Sequence, residues 1–148
     1  MASNTTVNAH SVNSNTSNST NLEYKRNVTT LSAAHTLSAL ENNNLIVVSG
    51  GGYSLTLPPV ATSSGFHYQI VCGLQPTGNI TVAAGSAIIH LVGKDGGGDL
   101  GPSTAGTAVS NVLFSTNARV GDYLDVVCDG SNFYISTLAH ADGAFTTS

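Results

Sequence analysis

Apolar and polar positions alternate in short runs along most of this chain, and glycine, proline or asparagine separates one run from the next. From Tyr123 to Cys128 the residues Leu124, Val126 and Cys128 fall on one face and Tyr123, Asp125 and Val127 on the other. That period-2 pattern predicts a half-buried strand. Asp129-Gly130-Ser131-Asn132 follows, offering a glycine for positive φ and polar side chains for the turn backbone, and Phe133–Thr137 resumes the strand pattern. The spacing therefore predicts a hairpin.

The same rhythm predicts strands over Asn27–Leu31, His35–Leu37, Leu45–Ser49, Tyr53–Leu57, Phe66–Cys72, Asn79–Ala83, Ala87–Val92 and Thr107–Ser115. A helix over Ser32–Glu41 competes with the second of these, but its serines and threonines disfavour a helix interior. Pro58-Pro59 ends a strand because proline cannot donate to a ladder. Gly93–Gly106 holds six glycines and a proline and is predicted to be a loop. About eight to ten short strands with turn residues between them point to an all-β fold, a β-sandwich or jelly-roll-like domain. Its expected extent is residues 27–139. Residues 1–26, rich in Asn, Ser and Thr, read as an extended polar N-terminal arm, and residues 140–148 as a C-terminal tail or short edge element.

Composition narrows the function. Only 8% of residues are charged, against about 25% in an ordinary domain, so solubility rests on hydroxyls and amides. The four basic residues, Lys25, Arg26, Lys94 and Arg119, are scattered, which gives nucleic acid no electrostatic footprint. No run approaches the roughly 20 apolar residues of a membrane span, and the N-terminus lacks the basic-then-apolar layout of a secretory signal. The expectation is a chain kept in a cytosol until it assembles, with no nucleic-acid or membrane partner.

Candidate chemistry is sparse. A glycosidase needs two carboxylates about 5 to 9.5 Å apart across one bond. Asp122, Asp125 and Asp129 are the one dense acidic group, and they read as a strand-start residue, a solvated face residue and a turn former. Asp95 and Asp99 are close in sequence, but calcium takes six to eight oxygens, and the glycines between them read as a flexible surface or subunit contact. His10, His35, His67, His90 and His140 share no metal-ligand spacing with one another or with Cys72 and Cys128. The two cysteines read as small buried side chains, and a disulfide would require their strands to be neighbours. There is no Gly-x-Ser-x-Gly nucleophile elbow, and no Trp for a sugar platform. No catalytic, cofactor-binding or metal-ligating residue is assigned, and the expected protein is not an enzyme.

Four segments in order, Leu55-Thr-Leu-Pro-Pro59, Gly65-Phe-His-Tyr-Gln-Ile-Val71, Gly78-Asn-Ile-Thr-Val82 and Gly121-Asp-Tyr-Leu-Asp-Val-Val-Cys-Asp-Gly-Ser-Asn-Phe-Tyr134, resemble a β-module of tailed-bacteriophage virion proteins. That group includes head decoration (cement) proteins and parts of tail fibres; Phe133 stands where its terminal hairpin usually has Trp. The resemblance spans Thr29 to Thr137 and brings no catalytic residues with it. It implies a structural virion protein, first a capsid decoration protein on the outer surface of a phage head, assembled in the host cytoplasm. A homotrimer with the major capsid protein or other virion proteins as partners is implied too. The alternative is a tail-fibre or receptor-binding module recognising a host surface glycan. Partner contacts are expected from the arm, at Asn4, Val7, Val12, Asn15 and Asn18, and from the glycine loop, at Gly96, Gly97 and Gly98. Polar arms suit the addition of backbone hydrogen bonds along an exposed strand edge.

Overall fold

The computed structural model describes residues 25–85, 89–95, 98–99 and 108–148. These fold into two β-sheets whose inward side chains form one core. The first sheet holds β1 (Val28–Leu31), β3 (Leu45–Val48), β5 (His67–Cys72), β11 (Tyr123–Cys128), β12 (Phe133–Leu138), β7 (Ile89–Asp95) and β8 (Gly98–Asp99) in that order, with β9 (Ala108–Val109) also paired to β7. The second runs β13 (Phe145–Thr147), β10 (Asn111–Phe114), β6 (Ile80–Ala83), β4 (Tyr53–Thr56) and β2 (His35–Thr36). The architecture is a β-sandwich.

Its first half is wound as a coil. From β1 to β7 successive strands alternate between the sheets, so β1, β3 and β5 stack in parallel in one sheet and β2, β4 and β6 in the other. Parallel ladders need such crossovers, and here each crossover is a strand in the opposite sheet. The predicted hairpin β11–β12 closes the second half and joins the coil by pairing antiparallel to β5, and parallel to β7.

Alternation decides the core. Ile46 and Val48, Tyr68, Ile70 and Cys72, Leu124 and Val126, and Phe133 and Ile135 point inward from the first sheet; Leu55, Ile80, Val82, Val112, Phe114 and Phe145 meet them from the second. Phe114 and Phe145 pack with ring centroids 4.8 Å apart, a tilted contact that aromatic quadrupoles favour. Most predicted strands lie within a residue or two of their observed positions. Between Ser32 and Glu41 the chain forms β2 and a 3₁₀ turn, Ala39–Glu41, and no α-helix.

One expectation needs correction. Gly93–Gly106 is not all loop, because β7 continues to Asp95 and folds back through β8, with Lys94 opposite Asp99. Glycine shows no alternation to read, and the ladder to β12 carries the strand through it. Residues 140–148 carry a short edge strand, one of the two forms expected for them: Ala144 and Phe145 are buried, and β13 extends the second sheet beside β10.

Candidate functional site

The inward half of each strand is committed to the core, so any surface role falls to the outward half. On the first sheet, register arranges the outward residues in three rows. Val47, Val71, Tyr123 and Leu138 form an apolar row across β3, β5, β11 and β12. Gln69, Asp125 and Ser136 form a polar row beside it, and His67, Val127, Tyr134 and His90 a mixed third row. Val127, Tyr134 and Leu138 are 46%, 42% and 51% exposed. These three large side chains stand about half open to water on the outward face of the first sheet.

Polar contacts fix parts of this face. His67 Nε2 lies 3.4 Å from Asp125 Oδ1, while its Nδ1 lies 3.5 Å from Arg26 Nη2. Arg26 also donates to Gln69 Oε1 at 3.0 Å and to the Asn43 carbonyl at 3.1 Å. In a hydrolytic triad the second imidazole nitrogen would face a nucleophilic hydroxyl; at His67 it faces a guanidinium. His90 stacks on Tyr134 with centroids 5.3 Å apart. The Tyr134 hydroxyl donates to Asp129 Oδ2 at 2.9 Å, and that bond raises the tyrosine above its ordinary range.

The three aspartates have separate duties. Asp122 is buried and accepts from the N–H groups of Arg119 and His140, at 2.7 and 2.9 Å, which ties the entry of β11 to the exit of β12. Asp125 lies on the outward face. Asp129 accepts from the N–H groups of Asn132 and Ser131, then from Tyr134, and these bonds hold its carboxyl below the usual range. Because β11 runs antiparallel to β5, Cys72 and Cys128 fall at opposite ends of neighbouring strands, and both are free thiols. Burial pushes the Cys72 thiol up, with Asp122 adding to the shift, so its thiolate is disfavoured.

No family model, curated protein or solved structure matches this chain. Among the described residues no three His, Cys, Asp or Glu side chains gather as a metal-ligand set, and no helix is long and apolar enough to cross a membrane. The arm positions Asn4, Val7, Val12, Asn15 and Asn18 lie outside the described residues, as do Gly96 and Gly97; Gly98 opens β8. The outward face of the first sheet was not singled out from the sequence. Alternation did mark Tyr123, Val127 and Tyr134 as facing away from the core, and the missing information was which strands stand side by side.

Proposed function

We propose that this chain is a structural virion protein, a capsid decoration protein that assembles with copies of itself and seats on the outer surface of a phage head. The observation that carries the reading is the half-exposed apolar face of the first sheet. The row Val47–Val71–Tyr123–Leu138, with Val127 and Tyr134 across the polar row Gln69–Asp125–Ser136 from it, is read as a surface for packing against protein. Asp125, within reach of His67, is the one carboxylate in these three rows, and interface centres are likewise poor in charge. The resemblance of its motifs, in their order, to phage virion modules supports the same reading. Its role is adhesion, with no reaction assigned.

The test is co-sedimentation of the purified protein with phage heads that lack it. Saturable binding by the wild type and loss of binding by Val127→Asp/Leu138→Asp, whose substituted side chains point to solvent, is the expected result. Equal binding by both proteins would remove the face from the interface, and no binding by either would overturn the decoration reading.

The exposed Tyr134 ring, stacked on His90 with the Asp129 carboxylate at its hydroxyl, favours a second reading. A ring flanked by a hydrogen-bond acceptor suits a sugar, as in a receptor-binding module. Glycan-array binding that Tyr134→Ala abolishes would select that alternative.

A further inference from the structure

Among the described residues the coil has an open end. β1 and β2, the edge strands of the two sheets, belong to its first turn, so both edges lie at the end where the coil begins. In a parallel ladder alternate residues turn their backbone groups to one neighbour. The carbonyls of Asn27 and Leu31 accept from Leu45 and Ser49, which leaves the N–H and C=O of Val28 and Thr30 facing away from β3. Val28 is also 62% exposed. An open edge of this kind templates the addition of another strand.

Residues 1–24 lead directly into this edge, and part of them repeats its sequence. Thr5-Thr6-Val7-Asn8-Ala9-His10-Ser11-Val12 matches Thr29-Thr30-Leu31-Ser32-Ala33-Ala34-His35-Thr36-Leu37 with one residue fewer in the turn. The second of these segments contains most of β1 and all of β2. The likeness falls where the fold needs it: Val7 and Val12 stand at the positions of Leu31, which packs against the core, and Leu37, which is 1% exposed within it. Repetition of one structural unit along a chain is the signature of stacked coils.

We infer that the open edge of β1 and β2 is the docking site of residues 5–12 of the same chain, seated as one more turn of the coil. Residues 13–27 span the crossing back to Val28, a longer connection than residues 37–44 and 57–66, which make the same crossing in the turns that follow. Covalent attachment holds the segment beside its site at an effective concentration on the order of millimolar. A second copy's segment has no such advantage. The docked turn covers an edge that would otherwise pair copies indiscriminately, and it leaves Asn15 and Asn18 in the connection.

Hydrogen exchange of the full chain, resolved to single amides, tests this. In the wild type the Val28 and Thr30 amides should exchange on the order of 100-fold more slowly than in Val7→Asp/Val12→Asp, while the Ile70 amide, deep in the core, stays equally protected in both. Exchange at Val28 and Thr30 that is the same in both proteins would overturn the proposal. Protection that fades on dilution would also overturn it, because the segment would then come from another copy.

Discussion

At the scale of single residues, buried polar groups hold the frame on which the outward face is displayed. Asp122 neutralises two backbone donors at the closing hairpin, and charged hydrogen bonds of this kind are worth more than neutral ones. Asp122→Ala should lower stability by about 2–4 kcal/mol, the cost of leaving those N–H groups unpaired, and Asp122→Asn by less, as urea denaturation will measure. Tyr68 is fully buried and its hydroxyl donates to the Ser38 carbonyl at 3.0 Å. Burial, with Glu41 adding to it, pushes its pKa up to about 12 from 10.0. A pKa raised by folding contributes stability that is fully present below pH 10.0 and is lost as pH rises through about 12. Urea denaturation at a series of pH values should therefore show stability level below pH 10.0 and falling between 10.0 and about 12. In Tyr68→Phe the alkaline loss of stability should be smaller; an identical pH profile would show that another group governs it.

At the scale of elements, the turns are stacked as closely as the strands. Gly52 N–H donates to the Asn79 carbonyl and Thr77 N–H to the Gly50 carbonyl, each at 3.0 Å, so the β3–β4 turn rests on the β5–β6 turn. A Cβ at Gly51 would stand 2.3 Å from the Gly78 backbone, which has no flexible side chain to move aside. Gly51→Ala should cost more than about 2 kcal/mol. Gly121→Ala should cost about 1 kcal/mol, since space is open there and only its φ of 94° is unfavourable. Thermal melts of the two variants will separate close approach from backbone strain.

Most elements were legible because alternation is a local property: Leu124, Val126 and Cys128 announce their shared face without reference to any partner strand. Pairing is not local. Nothing in Leu45–Val48 says that both its neighbours run parallel to it, or that the chain changes sheet at each step, so the coil emerges only from the sheet order. Gly93 to Asp95 were misread because glycine carries no pattern. The outward rows stayed hidden for the same reason as the coil, since Val71, Tyr123 and Leu138 are far apart in sequence and meet only through register.

At the scale of the whole molecule, the proposed adhesive role depends on how many copies act together. If copies assemble through the face of the first sheet, each needs to make only a weak contact with the shell, because linked contacts multiply occupancy. Light scattering of the purified protein should give the mass of three chains, and Val127→Asp/Leu138→Asp should give the mass of one; a monomeric wild type would remove copies of the chain as partners of that face. The most direct test of the structural reading is immunogold labelling of intact virions from the source with antibody to this protein. Decoration protein predicts gold spread evenly over the head surface; gold confined to the tail tip, or no labelled particles, would contradict it.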